Sequence, residues 1–505
     1  MIYPTPKQMK TIEENSEKNG VSCRELMENA GGALTMLIYK IGQETDLSSG
    51  VVFVCGSGNN GGDGFVAARL LAESGTAVTV VLACGDPSTE LAAYEYCELS
   101  GVQGVEVLNL NDNIDKVFSK FASAAVIVDC VFGTGFHGFL PPQIKACFSF
   151  AQRSPAIKIA ADVPSGADCL KGTVAEGTLK CNYTVTFGFK KIGMLFQPLE
   201  EYCGEIIIEG IGFPAKATAG VELLPTLFEE NMAMELFPKR AKNSHKGNFG
   251  RVLNIAGSAG MSGAAALSTK AALRSGAGLV TLASTETVIS RIAAAMPEAM
   301  YLVTDKADAD TIIKECENKN VVALGCGLSV TADTKKLVEK IIKNVTCTII
   351  LDADGINCLA DSIDIIRDTK AELIITPHAG ELARLCGTTP EEASADRLTL
   401  AVNLSREYGV TVVAKGTPTI AAGKGKAYVI PAGNPGLSRG GSGDVLTGII
   451  AAFVAQGLAP VDAAAAGVFV HGAAADIAAE KLSEIGMLPS DVIENLSFVF
   501  RKWNR

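Results

Sequence analysis

The chain is sparing with charge and with aromatic rings: charged residues are 20% and aromatics 6% of 505 residues, with a single tryptophan. No lysine–arginine stripe offsets a net charge of -11, which excludes non-specific binding to nucleic acid. A phosphorylated ligand is still allowed, because local backbone dipoles bind phosphate on an acidic protein. The 14 cysteines include no Cys-x-x-Cys pair, which excludes the usual dithiol and zinc-ribbon patterns. They lie scattered in apolar runs such as Val51–Cys55 and Val126–Cys130, and read as small buried thiols of a reducing cytosol. Met1-Ile2-Tyr3-Pro4-Thr5 lacks a basic start followed by an apolar core, so no secretory signal is expected. An unbroken membrane-length run is also missing. Leu446–Ala479 is apolar, but Gln456, Pro460, Asp462, His471 and Asp476 interrupt it, and it reads as two buried helices. A cytoplasmic protein with no membrane partner is the expectation.

What the chain has is apolar content, 48% of residues, and length enough for several cores. Strand-length apolar runs recur at Val51–Cys55, Ala77–Ala83, Ala125–Asp129 and Ala156–Asp162. Helix-like stretches such as Phe65–Ser74 and Thr89–Ser100 lie between them, and Tyr183–Phe187 and Glu205–Glu209 close this half. Such alternation predicts a parallel sheet with helices on both faces. A second half repeats the habit at Val252–Ala256, Leu279–Ala283, Val321–Leu324, Thr348–Leu351, Leu373–Thr376 and Val410–Ala414. Thr419–Ala422 and Ala427–Ile430, split by Gly423-Lys424-Gly425, predict a hairpin. The stretch from Ile211 to Lys239 carries Pro214, Pro225 and Pro238 and reads as a linker. The division expected is 1–212, a linker over 213–238, and 239–505.

In the first half, Gly56-Ser57-Gly58-Asn59-Asn60-Gly61-Gly62-Asp63-Gly64 follows a strand and opens a helix, the setting in which Gly-x-Gly-x-x-Gly binds nucleotides. Asn59, Asn60 and Asp63 put polar tips where a ligand would lie. Two further strands end in acids: Asp129 precedes Val131 to Gly138, and Asp162 opens Asp162-Val163-Pro164-Ser165-Gly166. Carboxyl ends of parallel strands share one edge, so Asn60, Asp129, Asp162 and Ser165 are expected to converge there. Oxygen ligands of this kind suit a hard cation, and a spare carboxylate can move protons. The alternative is that these acids only cap turns. Lys190 and Lys191 read as an exposed basic pair, with phosphate contact as the other reading.

These segments resemble the NAD(P)H-hydrate epimerase family over about the first 210 residues. The resemblance implies a Rossmann-like three-layer domain that equilibrates the R and S forms of hydrated NADH and NADPH. It implies a potassium ion held by Asn60, Asp129 and Ser165. Hydrate contacts would fall on Asn59, Asn60, Gly61, Gly62 and Asp63, on Gly133, Thr134, Gly135, Phe136, His137, Gly138 and Phe139, and on Asp162. Asp162 is the expected proton-handling group, with Asp63 second.

In the second half, Gly433-Asn434-Pro435-Gly436-Leu437-Ser438-Arg439-Gly440-Gly441-Ser442-Gly443-Asp444 runs straight into apolar Val445–Phe453. Bare glycine N–H groups close around an anion, and the following helix points its positive end at the same spot. An aspartate in that first turn is badly placed to bind phosphate and well placed to take a proton from a hydroxyl attacking it. Other strand ends carry Gly257 to Ala264, Gly325-Cys326-Gly327-Leu328, Asp352 to Asn357, Thr376-Pro377-His378-Ala379-Gly380-Glu381 and Lys415-Gly416-Thr417-Pro418-Thr419. His378 could hydrogen-bond a substrate amide or phosphate, but taken alone it reads more often as a structural residue.

From about Lys239 onward, these motifs in this order resemble the ADP-dependent NAD(P)H-hydrate dehydratase family, which has a ribokinase-like α/β fold. The resemblance implies that Ala264, Gly327, His378 and Asp444 face the hydrate. Lys415, Gly416, Thr417, Pro418, Thr419 and Gly443 would hold ADP with its magnesium. Cys326 stands where the family usually has proline, and Leu437-Ser438-Arg439 replaces a commoner Met-Ala-Thr, which puts an extra cation near the phosphates. By this likeness the fused chain is a homo-oligomeric repair enzyme, an isomerase joined to a lyase, and Asp444 is its base. Two rivals stand beside it: a ribokinase-like kinase for a vitamin precursor, and a first half that only binds. Asp444→Asn is expected to leave nucleotide binding nearly intact while cutting turnover by orders of magnitude, checked by nucleotide titration alongside steady-state rates.

Overall fold

The computed structural model describes residues 2–221, 225–237, 239–306 and 308–504. Pro238 of the expected linker lies outside them. The chain divides between Pro225 and Thr226 into two compact units.

The first unit is built on seven parallel strands: β1 (Val51–Cys55), β2 (Val78–Leu82), β3 (Val105–Asn109), β4 (Val126–Cys130), β5 (Ile157–Ala161), β6 (Tyr183–Phe187) and β7 (Glu205–Glu209). Their order is β3-β2-β1-β4-β5-β6-β7, so the chain reverses direction of travel between β1 and β4. β1, β2 and β4 are buried at every position, as valine-rich strands covered on both faces must be. Helices Cys23–Gly42 and Asn59–Glu73 cover one face; Ile114–Ser123 and Pro142–Arg153 cover the other.

The second unit carries β8 (Thr226–Leu227), β9 (Arg251–Ile255), β10 (Leu279–Ser284), β11 (Met300–Val303), β12 (Val321–Leu324), β13 (Thr348–Leu351), β14 (Leu373–Ile375), β15 (Thr411–Ala414), β16 (Thr419–Gly423) and β17 (Lys426–Ile430). The sheet order is β11-β10-β9-β12-β13-β14-β15-β16-β17-β8, parallel except for the β15–β16–β17 meander. Here the reversal falls between β9 and β12. Residues 226–237 of the proline-marked stretch are built into this unit. Thr226–Leu227 pairs with β17, and Phe237 packs edge-on against Phe453 with ring centroids 4.6 Å apart.

The apolar stretch of the sequence forms two helices, Ser442–Ala455 and Pro460–Gly486. Among the described residues, Pro460–Gly486 is the one helix long and apolar enough to cross a membrane, and 72% of its apolar window is buried in the fold. Its buried alanines, Ala463 to Ala466, Ala474 and Ala475, mark it as a core helix.

Strand ends fall within one residue of the sequence expectation at every strand that was expected. β3, β8 and β11 were not expected. β3 exposes Val107 and buries only Leu108, β11 exposes Met300 and Val303, and β8 is two residues long, so edge position removes the apolar signal. The helix expected from Phe65 begins at Asn59, so the glycine run is itself helical.

One close approach sets the second site. The Ser442–Ala455 helix lies on the Ser262–Arg274 helix at Gly448, where a Cβ would stand 2.2 Å from the Ser268 carbonyl oxygen. This brings the helix bearing Asp444 against the helix bearing Ala264. Gly448→Val is expected to cost about 1–3 kcal/mol or more by overpacking, read as a lower denaturation midpoint of the second unit.

Candidate active sites

In each unit the polar strand ends gather at the carboxyl edge beside the reversal of strand order, where open α/β sheets bind ligands. In the first unit this edge opens into a cavity of about 330 Å³, lined by Glu13, Asn59, Asn60, Asp63, Gly133, Thr134, Gly135, Asp162 and Lys191 among others. Asp162, just after β5, has φ 65°, a left-handed conformation uncommon for a side-chain-bearing residue. Its N–H donates to the Val185 carbonyl at 2.8 Å. Oδ1 accepts from the Phe187 N–H at 3.2 Å and forms an ion pair with the Lys191 ammonium.

Lys191 corrects the sequence reading. It is not exposed but 1% accessible, and it also donates to Thr186 Oγ1 at 2.9 Å and the Phe187 carbonyl at 3.1 Å. A buried ammonium needs a carboxylate, and Asp162 supplies it. Nearby, burial pushes Asp63 well above the usual carboxylate range, and the charges of Asp162 and Glu13 add to the push. Burial first and Asp162 second raise Glu13 to about 6. The cavity thus holds one carboxylate fixed to a cation and, in Asp63, one that keeps its proton.

Behind the cavity, Asp129 is fully buried at the end of β4. It accepts from the Ser165 N–H at 2.7 Å, the Ser165 hydroxyl at 2.5 Å and the Val131 N–H at 3.2 Å. Burial still raises it to about 6 against those hydrogen bonds, since no described cationic side chain pairs with it. The Phe132 N–H donates to Ser165 Oγ at 2.7 Å, next to Gly133. Asn60 Oδ1 lies 3.3 Å from where a Gly133 Cβ would stand, and its amide nitrogen is buried without a partner. Asp129 and Ser165 thus set oxygen atoms around one buried carboxylate without a described cationic partner, and the Asn60 amide oxygen borders the neighbouring Gly133; oxygen donors of this kind suit a hard cation.

The rest of the expected contact loop does not line the cavity. Phe136 packs on Phe132, His137 lies 3.7 Å from Asp168, and Phe139 is 88% exposed beyond Gly138. Gly61 and Gly62 are buried in the helix, against Gly56 and Met27.

In the second unit the cavity is about 600 Å³. Lys415, after β15, reaches Asp352, after β13, with Nζ to Oδ1 at 2.9 Å. Thr376 and Thr447 hydroxyls complete Asp352 at 2.8 Å each. Burial alone would raise the Asp352 carboxyl; the Lys415 charge and the hydrogen bonds from Lys415, Thr376 and Thr447 together hold the group below its usual range. A Cβ on Gly443 would stand 3.3 Å from Lys415 Nζ, so the glycine leaves bare backbone beside the ammonium. Gly441, at φ 103°, starts the Ser442–Ala455 helix with no side-chain cap; the Ser442 N–H donates to the Arg439 carbonyl at 3.3 Å, and the Gly443 and Asp444 N–H groups that follow suit an anion.

Asp444 sits in that first turn. Burial raises it to about 6, Asp352 adds to the rise, and Cys326 and Lys415 oppose it. The ligating atoms of Cys326, Asp352 and Asp444 all lie within 4.8 Å of one another. The cluster is hydrogen-bonded: the Cys326 thiol, pushed well up by burial, lies 3.8 Å from Asp352 Oδ2, and Asp352 also accepts from Lys415, Thr376 and Thr447.

His378 caps the Ala379–Cys386 helix, its Nδ1 accepting from the Gly380 N–H at 3.0 Å and the Glu381 N–H at 3.3 Å. That leaves the proton on Nε2, which faces the cavity side and Glu381 Oε1 at 3.4 Å. Burial lowers His378, while burial raises Glu381 to about 7. The Lys415–Thr419 turn is pinned from below by buried Arg397, which donates to the Thr417 carbonyl at 2.9 Å and the Ser394 carbonyl at 2.5 Å.

Ala264 and Gly327 touch each other, with a Gly327 Cβ position 2.8 Å from the Ala264 methyl, but neither lines the cavity. Arg439 lines it, and its guanidinium donates to the Ile485 carbonyl. Glu13, Glu381, Arg397 and His471 were missed. Glu381 had a signal, the three-residue capping spacing from His378; the others reach their sites only through tertiary packing.

Comparison with known proteins follows the same two-part division. Residues 252–497 match the NAD(P)H-hydrate dehydratase family and residues 23–193 the YjeF-related protein N-terminus family. A bifunctional NAD(P)H-hydrate repair enzyme from Moorella thermoacetica is 35% identical, over 94% of this chain and 92% of its own. One from Escherichia coli is 33% identical, over 96% and 90%. The crystal structure of an ADP/ATP-dependent NAD(P)H-hydrate dehydratase from Bacillus subtilis, co-crystallised with ATP and magnesium, superposes with TM-score 0.50 at 28% identity, covering 55% of this chain and 99% of that one. At that identity over nearly its whole length, the chain belongs to the family of bifunctional NAD(P)H-hydrate repair enzymes.

Proposed function

We propose that the protein restores hydrated NADH and NADPH, with the first unit interconverting the R and S hydrates and the second removing water from the S form at the expense of ADP. The observation that carries the second half is Asp444 in the first turn of an uncapped helix, beside the buried Lys415–Asp352 pair. That is a layout for transferring a phosphoryl group to an oxygen nucleophile activated by a carboxylate.

Hydroxide is a poor leaving group, so dehydration requires activation of the ring hydroxyl. Asp444 takes its proton as the oxygen attacks the terminal phosphate of ADP, and AMP leaves. Lys415 and the N–H groups of Gly441 and Gly443 receive the charge of the transferring group. The ring nitrogen lone pair expels phosphate, and loss of the neighbouring ring proton restores the double bond. Magnesium bound with the diphosphate would supply further charge neutralisation. ADP as the physiological donor is part of the reading.

In the first unit the hydrated carbon bears both nitrogen and hydroxyl, so its configuration inverts once one of those bonds opens and recloses. That requires a proton donor and an acceptor on the same cavity. Asp63, pushed up, is the donor; Asp162, fixed by Lys191, is the acceptor. Potassium held by Asn60, Asp129 and Ser165 would neutralise the buried Asp129 and stiffen the Gly133–Gly135 loop.

Two outcomes test the reading. Each S hydrate consumed is expected to yield one AMP, one phosphate and one reduced nicotinamide, measured by phosphorus NMR and absorbance; a stable phosphorylated product would instead establish a kinase. Asp444 acts ionised and its carboxyl is raised to about 6, so kcat/KM of dehydration is expected to be flat above that pH and to fall about tenfold per unit below it.

A further inference from the structure

One stretch of this acidic chain carries no acid. Between Glu235 and Glu286 the sequence has neither aspartate nor glutamate, while Lys239, Arg240, Lys242, Lys246 and Arg274 fall inside it. The fold gathers three of these cations around a cavity of about 470 Å³ in the second unit, a size usual for small-ligand sites. Phe249 precedes β9, Ser275 and Gly276 precede β10, and Gln456 ends the Ser442–Ala455 helix. The cavity therefore opens at the amino edge of the sheet, opposite the edge that carries Asp444, and shares no lining residue with the Lys415–Asp352 cavity.

Lys239, Arg240 and Arg274 line it, and no carboxylate does. Arg240 Nη2 donates to the Gly276 carbonyl at 2.7 Å and to Gln456 Oε1 at 3.3 Å, both neutral acceptors. Its guanidinium carbon stands 3.8 Å from the centre of the Phe249 ring, so the cation is held in one plane. Gly276, at φ 90°, permits this approach, since a Cβ there would stand 2.3 Å from Nη2. Neither Arg240 nor Lys239 has an ion pair among the described residues, and Arg274 shares Glu494 with Lys270. Deeper in, Ser275 is 3% exposed, and its buried hydroxyl has no hydrogen-bond partner among the described residues. A ligand atom that bonds it is favoured. Phe237, Phe249 and Phe500 supply an apolar wall.

We propose that this amino-edge cavity is a second ligand site of the unit, which takes a phosphomonoester carrying a flat ring, the chemistry of a nucleoside monophosphate. The phosphate meets Lys239, Arg240 and Arg274, whose charges no carboxylate of the cavity offsets. The ring lies against the phenyl wall, and the Ser275 hydroxyl bonds a ligand oxygen. Inorganic phosphate offers only the first of these contacts and a nucleoside only the second. The inference is independent of the chemistry assigned to the carboxyl edge.

The chain carries its own reporter. Trp503 is the single tryptophan and packs against two of the lining rings, 6.1 Å from Phe237 and 6.0 Å from Phe500. AMP added to the full chain is expected to change its fluorescence saturably, with inorganic phosphate and adenosine each binding about tenfold more weakly or worse. Equilibrium dialysis then counts AMP directly. Lys239→Glu reverses an exposed lining charge and is expected to weaken one AMP site by about tenfold or more while kcat of dehydration stays unchanged. Ser275→Ala is expected to weaken the same site severalfold. AMP uptake that is identical in the parent and Lys239→Glu overturns the proposal, whatever the fluorescence does. Should Lys239→Glu disturb the fold, Lys239→Met, which keeps the apolar stem, decides by the same comparison. Phosphate or adenosine binding as tightly as AMP overturns the assigned ligand class, the first by making the ring irrelevant and the second the charge.

Discussion

Each unit depends on one buried lysine–aspartate pair. Lys191 with Asp162 and Lys415 with Asp352 are alike in kind: an ammonium, fully buried at Lys191 and partly exposed at Lys415, meets a strand-end carboxylate in a ligand cavity. Such a pair gains little net stability, because desolvation offsets the attraction, but removing one partner typically costs 3–5 kcal/mol by stranding the other. The pairs are better understood through what they do to their neighbours. One carboxylate is committed to its lysine, and a second carboxyl a few ångströms away is pushed upward by burial and by that first charge. Asp63 and Asp444 are those second groups.

Topology supplies the pairs. In both sheets the strand order reverses, so loops after neighbouring strands diverge and leave a crevice along the carboxyl edge. The first unit fills it from the ends of β1, β4, β5 and β6; the second from β12, β13, β14 and β15 together with the Ser442–Ala455 helix. Residues that touch no substrate fix these loops. Arg397 ties down the Thr417 carbonyl, and Asp476 holds the Gly433-Asn434 turn through the Asn434 amide at 2.8 Å. Without such anchors, the backbone N–H groups that cradle phosphate would not be preorganised.

Much of this was legible in the sequence, for physical reasons. Valine-rich strands buried on both faces write continuous apolar runs, and glycine clusters after them mark close backbone approach, so β1, β4, β5 and the Gly440–Asp444 motif were readable. Edge strands such as β3 and β11 face solvent on one side and lose that signal. Lys191 was misread because a lysine pair looks solvated unless its partner is known, and Asp162 lies 29 residues away along the chain. Glu13 sits on an amphipathic N-terminal helix with nothing local to mark it, and His471 is buried in a core helix whose sequence reads as alanine packing. The Cys326 departure was visible; the sequence did not show that it lies beside Asp352 and Asp444.

Fusion of the two units makes chemical sense if the second reads a single epimer, because hydrate of the other configuration would then accumulate unrepaired. The most direct measurement starts from purified R hydrate of NADH, supplied with ADP and magnesium, and follows absorbance at 340 nm. Full recovery by the intact chain, well ahead of spontaneous epimerisation, is the predicted result. Recovery no faster than the uncatalysed interconversion of the hydrate would contradict the account, since the first unit would then contribute no chemistry.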